Sequence, residues 1–109
     1  MMLRLVTRGD TLGTTCVNLA EVEAGLRPRE RPRAEALLDR LRFIPTDREA
    51  AHRAGRYQAE WARRGRTIHT PDALVAGTAR VHGAVLVTHN TSDFPMRDIR
   101  VQHPDEVDA

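Results

Sequence analysis

The apolar positions of the chain form short runs typical of buried strands, separated by stretches with helical spacing. The clearest run is Ala84–Val87, which follows Gly83 and precedes a polar segment. Shorter runs predict further strands at 14–17, 43–44 and 99–101, and helical spacing predicts helices over about 18–25, 31–41, 46–62 and 70–82. Strands that alternate with helices predict an α/β fold, a three-layer sandwich in which helices flank a short parallel sheet.

The composition fits one small domain that remains in the cytoplasm. The chain has 109 residues, of which 40% are hydrophobic and 29% are charged, enough for a single core. No apolar run approaches the roughly 20 residues that span a bilayer, and the apolar stretch at the start of the chain is too short for a signal peptide. The single cysteine, Cys16, excludes an internal disulfide and is expected to lie in the core.

Three acidic residues fall beyond predicted strand ends, where open parallel sheets bind ligands. Glu21 follows the first strand by one helical turn, Asp93 follows the 84–87 strand, and Asp72 begins the helix that leads into that strand. Three carboxylates around one cleft would attract a hard divalent cation. Each acid also has a structural explanation, since Glu21 and Asp72 complement helix dipoles and Asp93 can cap a turn. The residues alone leave both interpretations open.

Three segments resemble the PIN-domain ribonucleases of the VapC toxin type. Thr70–Ala79 is similar to the family's D-A-L-I-A-A-T-A helix, and Thr88–Phe94 resembles its T-x-N-x-x-D-F segment. Asn18–Gly25 carries an acid four residues before a glycine, as the family does. The segments occur in the family's order, and the match extends from about Leu12 onward. The resemblance therefore implies a single, incomplete PIN domain over residues 1–109.

The family resemblance also implies a site. Glu21, Asp72 and Asp93 would hold Mg²⁺ or Mn²⁺, with Thr88 and Asn90 as supporting residues. Glu23 is the less suitable alternative to Glu21, because it would point to another side of the helix. The implied activity is a metal-dependent endoribonuclease, in which the ion lowers the pKa of the attacking water. In the toxin branch the domain is implied to dimerise and to be inhibited by a cognate antitoxin.

Arginine supplies all of the basic side chains. The formal net charge is only +2, but the 17 basic residues include no lysine, and the guanidinium group suits phosphate recognition. Two clusters are candidates for contact with the RNA backbone: Arg27, Arg29, Arg31 and Arg33, and Arg63, Arg64 and Arg66. Solvated helix ends explain the same clusters at least as well.

The start of the chain departs from the family. PIN domains open with an apolar strand that ends in an aspartate and lies in the middle of the sheet. Asp10 imitates this aspartate, but only three residues separate it from Thr14, too few for a parallel crossover. Met1–Arg8 is therefore predicted to be the tail of a helix and Asp10 a loop residue. The domain is expected to lack the family's first strand and helix, and its sheet is expected to expose two strand edges.

Two explanations of this departure stay open. A gene start placed too late would mean a longer, active ribonuclease, which the otherwise intact motifs favour. A true remnant would be an inactive PIN module that binds antitoxin or an intact protomer. An unrelated small α/β ligand-binding domain, whose acids only cap helices, is the remaining alternative.

Overall fold

A computed structural model describes residues 4–9 and 11–107, which form one mixed sheet flanked by helices. The strands lie in the order β3-β2-β1-β4-β5. The elements are β1 (Arg4–Arg8), β2 (Thr11–Thr14), α1 (Cys16–Gly25), α2 (Arg31–Leu38), β3 (Arg42–Phe43), α3 (Arg48–Ala62), α4 (Thr70–Val81), β4 (Val85–Thr88), a 3₁₀ turn (Thr91–Asp93), β5 (Val101–Gln102) and α5 (Pro104–Val107). The predicted α/β fold is confirmed.

The central strand, β1, is the main difference from the prediction. It runs antiparallel to both β2 and β4, whereas β2–β3 and β4–β5 are parallel pairs. The prediction of an entirely parallel sheet is therefore wrong. The expectation that two strand edges would be exposed in the middle of the sheet is also wrong, because β1 pairs with a neighbour on each side.

The chain reaches this arrangement through a tight hairpin. Arg4–Arg8, predicted to be a helix tail, alternates between more and less buried positions as a strand does, and Val6 is fully buried. Arg8 lies opposite Thr11, and Gly9, which follows Arg8, has a φ of 63°, which suits a residue in a turn between antiparallel strands. A hairpin needs far fewer residues than the parallel crossover that the sequence excluded. Met1–Leu3 and Asp10 lie outside the described residues.

The predicted strand at 14–17 is displaced toward the start of the chain. The strand ends at Thr14, and α1 begins at Cys16, whose side chain is exposed rather than in the core. Thr15 caps α1, and its side-chain oxygen accepts a hydrogen bond from the Asn18 backbone at 3.3 Å. Asn18, the first residue of the predicted helix, instead lies in the first turn of α1, where its buried side chain accepts a hydrogen bond from the Arg4 backbone.

The core lies where α3 and α4 pack against the sheet. Val6, Val75 and Leu86 are completely buried there. Ala50 lies at the closest approach of the two helices, where a Cβ atom built on Gly77 would stand 2.3 Å from the Ala50 carbonyl oxygen. Only glycine therefore fits at position 77. Within residues 4–9 and 11–107, every helix is too short or too polar to cross a bilayer.

Candidate active site

Two of the predicted site acids meet beside the first residue of β1. Arg4 pairs through Nη2 with Oε1 of Glu21 on α1, and through Nη1 with Oδ1 of Asp72 in the first turn of α4. Because β1 is antiparallel, its first residue lies at the edge where β2 and β4 end, which we call the carboxyl edge. The fold thus brings Glu21 and Asp72 together around one positive charge.

Arg4 is buried and held through its backbone. Its residue surface is only 3% exposed, and its backbone N–H donates to Oδ1 of Asn18 at 3.0 Å. Nδ2 of the fully buried Asn18 donates in turn to Oγ1 of Thr14 at 3.0 Å. Buried amide and hydroxyl groups are costly unless they are hydrogen-bonded, and this chain of contacts pairs them. The carboxyl edge is therefore a connected polar cluster.

β4 ends in this cluster and leads into the rest of the predicted site. Thr88 is buried opposite Arg4 in the β1–β4 ladder, and its Oγ1 accepts a hydrogen bond from the Asn90 backbone at 3.2 Å. Asp93 is half-buried at the end of the 3₁₀ turn, and its backbone donates to the Asn90 carbonyl oxygen at 3.1 Å. Thr88 and Asn90 therefore shape the turn that carries Asp93.

Glu23 points away from the carboxyl edge. Its carboxylate pairs with Arg31, at the start of α2. Of the two acids that the sequence offered on α1, Glu21 is the one that faces Arg4 and Asp72.

The carboxyl edge in this arrangement does not fit a divalent ion. Carboxylate oxygens are suitable ligands for Mg²⁺ or Mn²⁺, but the position that Glu21 and Asp72 share holds the Arg4 guanidinium. Across the described part of the chain, no three Asp, Glu, His or Cys side chains are arranged to hold a metal ion, so Asp93 does not complete such a group with the other two acids.

The contacts of Arg4 with the two acids, and of Asn18 with Arg4, were not predicted from the sequence. No clear signal for this strand is present in the sequence, because Arg4–Thr7 does not alternate apolar with polar residues, and the alternation of burial along β1 depends on its partner strands. Asn18 was predicted only as the start of a helix, since its contact with Arg4 depends on a strand pairing that the local sequence does not show.

One of the two arginine clusters lies near the predicted site. Arg63, Arg64 and Arg66 are exposed at the end of α3, and Nη2 of Arg66 donates to the carbonyl oxygen of Ser92, next to Asp93. The guanidinium of Arg64 stacks over the Trp61 ring, 4.6 Å from its centroid. Arg27 and Arg29, in the connection between α1 and α2, are also exposed.

Comparison with protein families agrees with the fold and with the order of the segments. A family model for the PIN domain matches residues 2–99. The chain belongs to the PIN-domain family. The alternative of an unrelated ligand-binding domain is therefore wrong.

Two relatives of the chain are VapC proteins, which confirms the resemblance seen in the sequence. A tRNA(fMet)-specific endonuclease VapC from Shigella flexneri is 38% identical over 60 residues, covering 55% of this chain and 46% of that protein. Ribonuclease VapC10 from Mycobacterium tuberculosis (strain H37Rv) is 35% identical over 85 residues, covering 78% of this chain and 64% of that protein. The matches thus span about half to two thirds of the relatives' length.

Solved structures share this PIN fold. DNA-bound VapBC from Salmonella typhimurium aligns with a TM-score of 0.72 and 29% identity, covering 82% of this chain and 72% of that one. VapBC2 from Rickettsia felis, bound to a promoter DNA fragment, aligns with a TM-score of 0.75 over 85% of this chain and 74% of that one. At 24% identity, the second match shows the fold alone.

Proposed function

We propose that this PIN domain is the toxin of a VapBC-type toxin–antitoxin pair and acts as an endoribonuclease. The observation that supports this most is the convergence of Glu21 and Asp72, from two separate PIN segments, at the edge where the turn to Asp93 begins. The names of the VapC relatives, an endonuclease and a ribonuclease, point the same way. The proposed partners are an RNA substrate, a cognate antitoxin and a second copy of the chain.

The proposed reaction is hydrolysis of an RNA phosphodiester bond. Glu21, Asp72 and Asp93 are the proposed catalytic acids, one of which takes up the proton of the attacking water, and Thr88 and Asn90 support the turn of Asp93. Mg²⁺ or Mn²⁺ is the ion that such acids prefer, and it would need the position that Arg4 holds in the structure.

The exposed arginines are the proposed contacts for the RNA backbone. Arg66 donates to the carbonyl oxygen of Ser92, next to Asp93, and this contact supports Arg63, Arg64 and Arg66 as the cluster that a bound RNA strand would meet. Arg27 and Arg29 are the second proposed contact. Binding through such contacts should weaken steeply as salt is raised, because it releases counterions from the RNA.

The test of this function is cleavage of bulk transfer RNA by the purified chain in millimolar Mn²⁺. Cleavage should stop in EDTA, and Asp93→Asn should lower its rate by about 100-fold or more. Asp93 is the best position to change, because Arg4 pairs with the other two acids and not with this one. Asp105→Asn is the matched control, since that side chain is 91% exposed on α5. Cleavage that survives both EDTA and Asp93→Asn would contradict the proposal.

A second candidate function is a PIN module that binds without catalysis. It is favoured by Arg4, which already neutralises part of the acidic charge that an ion would need. This module would bind the cognate antitoxin or an intact protomer. Tight binding of antitoxin together with no cleavage at any Mn²⁺ concentration would favour this function over the first.

A further inference from the structure

We propose that Arg4 is an internal cation that competes with divalent metal ions for Glu21 and Asp72. Its two terminal nitrogens pair with one carboxylate each, so its charge lies between the acids, where an ion shared by them would lie. The proposal rests on the acidic site of the proposed function. It is tested by ion binding alone, so RNA cleavage plays no part in its outcome.

The buried charge of Arg4 needs both acids as partners. The arginine side chain is 4% exposed, and a charge that is buried to this extent needs partners of opposite sign. Among the described residues, Nε of Arg4 has no hydrogen-bond partner, so the two terminal nitrogens make the side chain's charged contacts. An ion that took both acids would leave a buried guanidinium unpaired. Metal binding must therefore displace the Arg4 side chain.

The pairing of β1 keeps this side chain at the carboxyl edge. The Arg4 backbone is bonded to Asn18, and Arg4 lies opposite Thr88 in the β1–β4 ladder. The backbone consequently keeps the guanidinium within reach of the acids, even when an ion displaces it from them. An approaching divalent ion meets a positive charge that the backbone holds there, and like charges repel strongly where water is largely excluded.

Charge rather than burial is what keeps ions out. The Glu21 side chain is 44% exposed, whereas that of Asp72 is 15% exposed, so solvent and ions reach the pair from the Glu21 side. Removing the arginine charge would leave this path unchanged. It would also leave two carboxylates close together without a cation, which is a favourable situation for binding Mn²⁺.

The experiment is a titration of the purified chain with Mn²⁺ alone, in which the electron paramagnetic resonance signal of the free ion reports binding. Arg4→Met replaces the arginine with an unbranched, uncharged side chain, which fills much of the same space and removes the charge. We expect its Kd for Mn²⁺ to be at least about tenfold lower than that of the wild type. Arg80→Met is the matched control, because Arg80 also pairs with an acid, Asp98, which keeps Arg53 as a second cation, and it lies in the last turn of α4, at the other end of the helix from Asp72. Its Kd should equal the wild-type value.

The outcomes separate this proposal from the proposed function. Equal Kd values for the wild type and Arg4→Met would overturn it. If Arg4→Met is unfolded in EDTA, circular dichroism should show refolding on addition of Mn²⁺, and failure to refold would also overturn the proposal. Tighter Mn²⁺ binding without RNA cleavage by either form would support the role of Arg4 and contradict the ribonuclease function.

Discussion

The α3–α4 interface and the carboxyl edge of the sheet are stabilised in opposite ways. At the interface, Ala50 and Gly77 bring two helices so close that no further atom fits between them. At the edge, a buried arginine is held by two acids, and one of its nitrogens has no partner among the described residues. The interface thus depends on shape and the edge on charge. The first region therefore cannot accept added volume, whereas the second cannot lose a partner.

The largest expected effect is at the helix interface. Gly77→Ala would place a Cβ atom 2.3 Å from the Ala50 carbonyl oxygen, which forces the backbones apart. We expect a loss of about 3 kcal/mol in the free energy of unfolding, measured with urea. Gly55→Ala is the matched control, because the added Cβ has nothing within 4 Å, and it should stabilise α3 by about 0.5–1 kcal/mol. Equal effects at the two glycines would show that the close approach is not limiting.

A smaller loss is expected at the charged edge. Asp72→Asn removes one of the two carboxylates that pair with buried Arg4 and leaves Glu21, which is partly exposed. Since one partner remains, the expected loss is about 2 kcal/mol, below the usual effect of breaking a buried pair completely. The same urea measurement on Asp105→Asn should differ from the wild type by less than about 0.5 kcal/mol. A loss at Asp72 as small as the control's would mean that Arg4 does not depend on the pair.

The smallest expected effect is at Tyr57, whose side chain combines apolar packing in the core with a hydrogen bond to an acid. Its ring is buried in the core, while its hydroxyl donates to Oδ1 of Asp98 at 2.7 Å. Burial, and then this hydrogen bond, raise the pKa of Tyr57 above its ordinary value of 10.0. Because the folded pKa exceeds the unfolded one, the stabilisation is complete below pH 10 and declines as the pH rises further.

Tyr57→Phe tests this contribution. It should lower the free energy of unfolding by about 1 kcal/mol at pH 7, through the lost hydrogen bond. It should also flatten the decline in stability between about pH 10 and 12, where this chain has no lysine and no other tyrosine to titrate. Urea unfolding at pH 7 and at about pH 11 provides both values. If the stability of the variant declines as steeply with pH, other titrating groups cause the decline.

The sequence predicted the helix interface better than the edge, for a physical reason. The spacing of Ala50, Ala54 and Tyr57 is a local signal, and the observed α3 and α4 lie within one or two residues of the predicted helices. β4 was predicted within one residue by its apolar run. The predicted start of α3 at residue 46 is two residues early, because the Asp47 side chain caps the helix by accepting a hydrogen bond from the Ala50 backbone.

β1 could not be predicted in the same way, because a short strand owes its position to partners far along the chain. Leu3–Val6 is too short for its period to distinguish a helix end from a strand, and β propensity depends strongly on context. The position of Glu21 and Asp72 at the strand ends followed from a general rule of open sheets. The presence of Arg4 between the two acids did not follow from that rule, because Arg4 reaches them only when β1 runs antiparallel. That Asp93 acts with them stays a prediction.

The hairpin at Gly9 also bears on the order in which the molecule assembles. Strands joined by so short a turn can pair within about 1–10 µs, before any distant part of the chain is involved. The ladder between β1 and β4, in contrast, joins opposite ends of the sequence and must wait for a much slower encounter. The turn between β1 and β2 can therefore close before β1 meets β4, and we expect the pairing of β1 with β4 to be the step that limits the refolding rate.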